Sequence, residues 1–405
     1  MTEKEFIIKS EILNKLQPRI NKTISLIKQA IEEKRPIWIR HHNDVDGYCA
    51  AIALEKAILP LIYARHTKER DSFYSYSRFP SKAPYYDYAD ATKDVTNFMN
   101  RVTKFDAKPP MIIICDNGSS EQDIIAIKKV KVYGAKVIVI DHHPMCEEID
   151  KITEAHINPH QVGSTYDISA GMLCVEVASQ LNPKINNMEF IAALAGIADK
   201  VESKELNQYI TLAKKLDYDI EFIKDTAECL DYEAFVLGFT ESKDLINDIL
   251  GADKNKQKKI INLIKPKVSL LRKQQLETNK KYAIIQKENK NKIIIASIDI
   301  NKVKRAGSFP PAGKTIGILQ DYLIKKYPEK KVITLGINKD QINFRASKNT
   351  EDFDVNELLN MLKNKLPYAQ IDGGGHKRAG SIGFIEAAKE EIMKIAEDYV
   401  SGIKK

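Results

Sequence analysis

Hydrophobic residues recur along the first 33 positions with the three- and four-residue spacing that is typical of an amphipathic helix. Pro36 ends this pattern. Three apolar runs follow at 37–39, 111–115 and 136–140, and a helical pattern at 121–132 separates the last two. Strands that are apolar throughout and joined by a helix indicate a parallel sheet buried on both faces. We therefore predict an α/β fold with a doubly wound parallel sheet over residues 36 to about 200.

The pattern changes twice further along the chain. Residues 205–281 are rich in Lys, Asn and Glu and have no strand-like run, which predicts a helical connector. From 282 onward strand-like runs alternate with helical patterns, which predicts a smaller second α/β domain. We expect strands near 283–285, 292–296, 331–335 and 342–344, and helices near 315–327, 355–364 and 386–400. The predicted domain boundaries are 1–204, 205–281 and 282–405.

Composition narrows the classes of function. The chain has 405 residues, with 63 Lys and Arg against 55 Asp and Glu, and a net charge of +8. This charge suits a polyanionic partner, although a solvated lysine-rich surface would give the same value. No apolar run reaches the roughly 18–20 residues of a membrane helix, and no signal-peptide pattern is present. We therefore expect a cytoplasmic protein with no membrane partner. Five scattered cysteines form no C-x-x-C pair, which predicts free thiols rather than a zinc site.

Polar residues follow three of the predicted strands. They are 40–47 (RHHNDVDG), 116–119 (DNGS) and 141–144 (DHHP). Ligands of an open parallel sheet bind outside the carboxyl ends of its strands, so these segments are expected at one edge. Four of the eight histidines stand there in two adjacent pairs. One such pair is incidental more often than not, but two pairs with several acids predict a metal site, because buried acids are costly unless they are paired or bind a metal.

The types of donor favour some metals over others. Aspartate and imidazole without cysteine suit Mn²⁺, Mg²⁺ or Fe²⁺ better than a structural zinc ion. Several carboxylates at one edge can bridge two ions, and two ions about 3.5–4 Å apart activate a water and stabilise an in-line phosphoryl displacement. We expect two Mn²⁺ ions, with Mg²⁺ as the alternative, and phosphoester hydrolysis as the chemistry.

These motifs resemble those of the DHH phosphoesterase superfamily. Asp141-His142-His143 is the signature that names it, and 42–47 (HNDVDG) resembles its first motif in the form typical of archaeal RecJ-like members. Asp116 matches the acid of the second motif, 195–199 (AGIAD) resembles the fourth, and 169–171 (SAG) also fits. The resemblance covers roughly 36–200 and 282–400. It implies a DHH catalytic domain, a DHH-associated C-terminal domain and an active site in the cleft between them.

The resemblance also implies metal ligands, residue by residue. One ion would be held by His42, Asp44 and Asp116, and the other by Asp46, Asp116, His142 and Asp199, so that Asp116 bridges the two. His41 stays open as an alternative to His42. Asp199 could instead be a surface acid beside Lys200 or Lys204.

Two further residues of the signature would act on the substrate and on the ligands. His143 would contact the scissile phosphate. Asp141 would orient the imidazoles, as metal-binding histidines usually require. The resemblance therefore implies three catalytic residues, Asp141, His142 and His143.

A glycine-rich segment stands in the second domain, at 372–380 (DGGGHKRAG). Gly373, Gly374 and Gly375 would let backbone N–H groups approach an anion, and His376, Lys377 and Arg378 add positive charge at a predicted helix start. Alone, such a segment is a flexible loop as often as a phosphate site. Beside the DHH motifs it resembles the GGGH loop of the DHH-associated domain, which implies substrate binding by the three glycines, His376 and Arg378. Arg345, in 343–347 (NFRAS), would lie on the accompanying strand and bind a phosphate.

Two other segments suggest a functional hypothesis. Residues 63–100 interleave aromatic and basic side chains, which predicts either base stacking or packing on the first domain. Gly313-Lys314-Thr315 resembles the end of a P-loop. Ser308 stands where that motif requires glycine, and Pro310-Pro311 would disturb the N–H geometry, so no ATP site is expected.

The function implied by the resemblance is a RecJ-like exonuclease on single-stranded DNA or RNA, with a role in repair or replication. The superfamily offers two alternatives. One is a phosphodiesterase that acts on short oligonucleotides, 3′-phosphoadenosine phosphate (pAp) or cyclic dinucleotides. The other is a replisome component bound to the GINS complex. Because all the matching metal ligands are present, a purely structural role in such a complex is disfavoured. The helical connector and the aromatic segment favour the longer substrate, and the GGGH segment disfavours a pyrophosphatase.

Overall fold

The computed structural model describes residues 5–65, 74–81, 83–238, 243–251, 253–288, 292–305 and 307–402. The chain divides into two compact units, Met1–Lys265 and Pro266–Lys405. None of the helices formed by the described residues is long and apolar enough to cross a membrane.

The first unit contains a five-stranded parallel sheet, as predicted. Its strands run in the order β2-β1-β3-β4-β5, and every neighbouring pair is parallel. They are β1 (Ile37–His41), β2 (Tyr76–Pro80), β3 (Met111–Cys115), β4 (Lys136–Ile140) and β5 (Ala155–Ile157). The apolar runs had indicated β1, β3 and β4, whereas β2 and β5 were not predicted.

Helices surround this sheet. They are α1 (Glu11–Glu32), α2 (Val45–Tyr63), α3 (Tyr88–Phe105), α4 (Ile124–Val132), α5 (Glu147–Ile152), α6 (Ala170–Leu181), α7 (Met188–Ala198), α8 (Lys204–Lys215), α9 (Ile220–Leu237) and α10 (Lys243–Ile249). Short 3₁₀ turns lie at Glu121–Asp123 and Pro159–Val162, and α11 (Lys254–Tyr282) contains the boundary between the units. Several of the long helices begin at a residue whose side-chain oxygen caps the helix. Ser10, Asp44, Asp87 and Ser169 each accept a backbone N–H of the first turn.

Alternate residues of the strands pack into two separate cores. Ile39 and Ile113 belong to the core that includes α1, α2, α6 and α7, whereas Trp38 and Ile112 belong to the core that includes α3 and α4. All five residues of β1 and of β3 are buried. Both faces of the central strands are thus covered by described residues, and the polar segments follow at the carboxyl ends of the strands.

The aromatic and basic segment 63–100 is partly structural. Tyr76, Arg78 and Tyr86 are buried, and the Tyr86 hydroxyl donates to Asp94 Oδ2 at 2.8 Å. Tyr63, Tyr74 and Tyr88 are exposed, and Arg70 and Phe73 lie outside the described residues. Packing thus accounts for the buried members, and base stacking stays a prediction for the exposed ones.

The second unit contains a mixed six-stranded sheet, which agrees with the predicted second α/β domain. Its order is β10-β11-β9-β8-β7-β6, in which β7 and β8 are parallel and the other neighbours are antiparallel. The strands are β6 (Ile284–Glu288), β7 (Ile293–Asp299), β8 (Lys331–Ile337), β9 (Gln341–Ala346), β10 (Asp372–His376) and β11 (Ala379–Gly383). The helices are α12 (Ile300–Val303), α13 (Ala312–Lys326), α14 (Val355–Lys365) and α15 (Lys389–Gly402), with 3₁₀ turns at Pro367–Ala369 and Glu386–Ala388.

Candidate metal centre

Three adjacent strands bring the polar segments to one edge of the first sheet. His42 follows β1, Asp116 follows β3, and Asp141-His142-His143 follows β4. β3 lies between β1 and β4 and is parallel to both. The carboxyl ends of the three strands are therefore neighbours, with Asp116 in the middle.

His42, Asp44 and Asp116 form one group of possible metal ligands. His42 Nδ1 lies 3.0 Å from Asp44 Oδ2 and 3.4 Å from Asp116 Oδ2. One donor atom from each residue lies within 4.8 Å of the others. Asp44 is held in place because its Oδ1 accepts the N–H of Gly47 at 3.0 Å, where it begins helix α2.

Asp116 also belongs to a second group, with Asp141, His142 and His143, whose donor atoms meet the same limit of 4.8 Å. His142 Nε2 lies 3.3 Å from Asp116 Oδ1 and 3.8 Å from Asp46 Oδ2. Its other nitrogen, Nδ1, lies 3.8 Å from Asp199 Oδ2. Asp46 therefore faces Nε2 of the His142 ring and Asp199 faces Nδ1, so that neither nitrogen faces both acids.

Asp46 is fixed by the beginning of helix α6. Its Oδ1 accepts Ser169 Oγ–H at 2.7 Å and the N–H of Gly171 at 3.1 Å, and its Oδ2 accepts the N–H of Ala170 at 3.0 Å. Unpaired N–H groups and the helix dipole at a helix N-terminus both favour a carboxylate. A Cβ at Gly171 would lie 2.6 Å from Ala195 Cβ and 2.8 Å from Asp46 Oδ1, so only glycine fits.

Asp141 and His143 form an ion pair beside these groups. Asp141 Oδ1 accepts His143 Nδ1–H at 2.8 Å and the N–H of His142 at 2.8 Å. Burial opposes both charges, but the partner outweighs it: Asp141 raises the pKa of His143 to about 10, and His143 lowers that of Asp141. The pair fixes the proton on Nδ1 and thereby the orientation of the His143 ring.

His41 lies apart from the acids that surround His42. Its ring is buried against Tyr48, and its Nδ1–H donates to the His42 carbonyl at 2.8 Å. Burial, together with the charge of Arg78, lowers its pKa to about 3, which keeps the ring neutral. The contacts of the two residues favour His42 over His41 as a ligand.

A cation fits this donor set. The two buried oxygens of Asp116 make ion-pair contacts with imidazole nitrogens and no hydrogen bond within the described part of the chain. Burial and the neighbouring Asp44 raise the pKa of Asp116 to about 8, and burial and Asp116 raise that of Asp46. Asp116 also has a left-handed backbone, with φ of 59°, a conformation that aspartate adopts more readily than most residues other than glycine. Acids held together in this way are stabilised by a divalent ion, and oxygen and imidazole donors without thiolate suit Mn²⁺ or Mg²⁺.

The glycine segment of the second unit is a β-hairpin and does not begin a helix. This part of the prediction was wrong, because β10 pairs with β11 over Asp372–His376 and the turn at Lys377 and Arg378 joins the two strands. Gly373, Gly374 and Gly375 have φ of 134°, 139° and 144°, which side chains rarely adopt. A Cβ at Gly373 or Gly375 would lie 2.2 or 2.5 Å from a carbonyl oxygen of β11.

Gly374 differs from its neighbours in the hairpin. The nearest atom to a Cβ placed there is Asn356 Oδ1, at 3.4 Å, so no close packing explains the missing side chain. Arg345, on β9, lies opposite Ala379 of β11 in the sheet. Space at Gly374 and a positive side chain in the same sheet are compatible with the predicted phosphate site.

Residues at the end of β5 were missed by the sequence analysis. Asn158 follows this strand, is buried, and donates to the His143 carbonyl at 2.9 Å and to Ser119 Oγ at 3.1 Å. The rule that located the other segments, to look beyond each strand end, would have found Asn158 had the three residues of β5 been recognised as a strand.

Comparison with known families matches two parts of the chain. Residues 36–198 match the family model described as "DHH family, N-terminal domain", and residues 309–402 match the "DHHA1 domain". An uncharacterized protein of Methanocaldococcus jannaschii is 35% identical over 425 residues, which cover 98% of this chain and 56% of that protein. The chain thus spans little more than half the length of this relative.

Comparison with solved structures gives the same picture of the fold. A structure described as the DHH domain of a member of the s1p family of ribosomal proteins has a TM-score of 0.95 and 35% identity, and covers 99% of this chain and 94% of its own. RecJ in complex with Mn²⁺ from Thermus thermophilus has a TM-score of 0.61 and 14% identity, and covers 95% of this chain and 55% of its own.

Proposed function

The chain belongs to the DHH family, whose members are phosphoesterases, and from this premise we propose that it is a two-metal exonuclease that trims single-stranded nucleic acid. The observation that carries the proposal is the position of Asp116, whose two oxygens face His42 on one side and His142 on the other. An acid placed between two groups of donors is what a pair of bridged ions requires.

The proposed ligands follow from these contacts. His42, Asp44 and Asp116 would hold one ion, and Asp116, His142 and Asp46 the other. Asp199 would join the second set or orient His142 from the other edge of its ring. Two divalent ions bound there would supply a water activated for attack and positive charge for both the attacking and the leaving oxygen.

The protein's own groups would position the substrate. His143, held by Asp141 through Nδ1, would donate Nε2–H to a phosphate oxygen, and its raised pKa keeps that proton in place at neutral pH. The glycine hairpin would accept a second phosphate through backbone N–H groups near Gly374, with Arg345 and Arg378 as the charged partners.

A strand longer than two nucleotides is the substrate that we favour. The fold resembles RecJ, which the structures describe as an exonuclease, and a relative with 35% identity is described as a member of a ribosomal protein family. The net charge of +8 supports a polyanion. Because one relative is described as a member of a ribosomal protein family, RNA is as important to test as DNA.

The test compares four substrates with Mn²⁺ present: an end-labelled 20-nucleotide RNA, the same sequence as DNA, a dinucleotide and pAp. We expect stepwise shortening of one or both long strands. Cleavage of the dinucleotide or pAp alone would replace the exonuclease by a phosphodiesterase for short substrates, and no cleavage of any of the four would refute the proposed exonuclease.

A matched pair of variants ties the activity to the site. Asp116→Asn should lower the rate at least about a hundredfold, because it removes the charge shared by both groups. Asp106→Asn is the control, since Asp106 also has a left-handed backbone, with φ of 49°, but is exposed at the end of α3. Equal rates for the two variants would remove Asp116 from the proposed mechanism.

A further inference from the structure

Asn158 connects the main chain of His143 to a buried chain of hydrogen bonds. Its Nδ2 donates to the His143 carbonyl at 2.9 Å and to Ser119 Oγ at 3.1 Å, and its Oδ1 accepts the N–H of His160 at 3.0 Å. Asn158 and Ser119 are both fully buried. A buried amide that uses both its donors and its acceptor is fixed in one orientation.

The chain continues from Ser119 to the edge of the unit. Ser119 Oγ lies 2.9 Å from His156 Nε2, and His156 Nδ1 lies 2.9 Å from Asp150 Oδ1. Asp150 also accepts Gln161 Nε2–H at 2.7 Å. An ionised carboxylate can only accept, so His156 carries its proton on Nδ1 and its Nε2 is an acceptor. The single hydroxyl proton of Ser119 therefore has two acceptors, His156 Nε2 and the Asp141 carboxylate.

Two links of this chain have a fixed direction, because Asn158 donates to Ser119 and His156 donates to Asp150. Burial lowers the pKa of His156, which is consistent with a neutral ring that donates through one nitrogen and accepts through the other. Hydrogen bonds of a buried network polarise and strengthen one another.

The distances in Ser119, His156 and Asp150 are those of a Ser-His-Asp hydrolase, but the burial excludes that chemistry. The exposed fraction is 0% for Ser119 and 2% for His156, so no substrate reaches the hydroxyl. The set has no reacting partner, and at its inner end Ser119 contacts Asn158 and Asp141. Its effect is therefore exerted through the position of the groups that these two residues hold, and Asn158 is the one that reaches the main chain of His143.

We propose that Asn158 is a positioning residue that fixes the main chain of His143 while Asp141 fixes its ring. The inference rests on the proposed function, in which His143 contacts the scissile phosphate. The 2.8 Å bond between Asp141 and His143 Nδ1 sets the direction of Nε2 only if the backbone at His143 stays in place. A displacement of about 1 Å at a reacting group costs on the order of a hundredfold in rate.

Asn182 offers a matched control in the same unit. Its Nδ2 donates to the Ala57 carbonyl at 3.3 Å, its Oδ1 accepts the N–H of Lys184 at 3.2 Å, and proline follows it as it follows Asn158. It is also buried. Serine at either position keeps an oxygen for the N–H two residues on and is too short to reach the carbonyl.

The experiment compares Asn158→Ser, Asn182→Ser and Ser119→Ala with the wild type on the strand that the wild type cleaves. Asn158→Ser should lower kcat about 10–100-fold, with KM and Mn²⁺ affinity within about twofold, because it touches none of the proposed ligands. Ser119→Ala should lower kcat in the same direction and less, since Asn158 keeps its bond to His143. Asn182→Ser should change none of the three quantities.

Crystal structures of the same variants give a readout that does not need activity. We expect the bond between His143 and Asp141 to be lost in Asn158→Ser and kept in Asn182→Ser. If His143 is unmoved in Asn158→Ser, or if kcat is unchanged, the proposal is overturned. If the wild type cleaves nothing, the proposed function has failed, and the crystal structures still decide whether Asn158 positions His143. Should Asn158→Ser not fold, Asn158→Asp takes its place, because it keeps the size of the side chain and removes the donor to the His143 carbonyl; an unchanged kcat or an unmoved His143 in that variant would overturn the proposal.

Discussion

Substitution of Gly171 by alanine should disturb the proposed metal site by displacing Asp46, which contacts Gly171. Gly171 is the second residue of α6, and its N–H donates to Asp46 at 3.1 Å. An added Cβ would lie 2.6 Å from Ala195 Cβ on α7 and 2.8 Å from Asp46 Oδ1. Ala195 has no rotamer that could move away, so the helices must separate or Asp46 must leave its place.

The size of the effect follows from these two contacts. Overpacking of a buried site costs about 1–3 kcal/mol, which corresponds to a fall of about 2–12 °C in the melting temperature of a unit of this size. Loss of the fixed Asp46 geometry should weaken Mn²⁺ binding by about 10–100-fold. Calorimetric titration with Mn²⁺ and thermal unfolding measure the two quantities separately.

Gly317→Ala is the matched control. Gly317 lies within helix α13, and a Cβ placed there meets no atom within 4 Å. Alanine should stabilise this helix by up to about 1 kcal/mol and leave Mn²⁺ binding unchanged. If Gly171→Ala binds Mn²⁺ as tightly as the wild type, Asp46 does not depend on the space at Gly171. If the variant also melts no earlier, the added Cβ does not overpack the contact with Ala195.

Three further substitutions test other parts of the structure. Burial raises the pKa of Glu176 to about 7, so the free energy of unfolding falls as the pH rises from the ordinary pKa of glutamate through 7. Glu176→Gln should remove this loss, which is up to about 3 kcal/mol between pH 5 and 8. Urea denaturation with the same pH dependence in the variant and the wild type would contradict this. Asp94→Asn should destabilise by about 3–5 kcal/mol, because Asp94 pairs with the buried Arg40 at 2.8 and 2.5 Å, and an unchanged melting curve would contradict it. Gly374→Val should weaken binding of a fluorescent single strand in an anisotropy titration without changing Mn²⁺ affinity, and unchanged strand affinity would count against the phosphate site.

The sequence located the parts of the fold that depend on continuous burial. The apolar runs of β1, β3 and β4 need no partner to be recognised, because strands buried on both faces exclude polar residues. β2 was hidden by its composition. Its Arg78 is buried where it pairs with Glu55 at 3.4 Å and donates to Asn247 Oδ1 at 3.3 Å, and no local pattern shows these distant partners.

The prediction for the glycine segment was wrong for a related reason. Three glycines and three basic residues have no strand propensity, and β10 exists because β11 pairs with it and β9 pairs with β11 in turn. The candidate site was accessible to sequence analysis because its residues follow strands in order along the chain. The contacts of Asn158 were not, since they join the ends of β4 and β5 and the loop after β3.

All six side chains proposed as metal ligands lie between His42 and Asp199, inside the unit Met1–Lys265. Free energy gained by ligation therefore accrues to this unit, about 2.7 kcal/mol for each ion at a hundred times its dissociation constant. None of these six side chains lies in the unit with the glycine hairpin. If the hairpin binds the substrate as proposed, substitutions in it would change which substrate is bound without touching the proposed ligands of the ions.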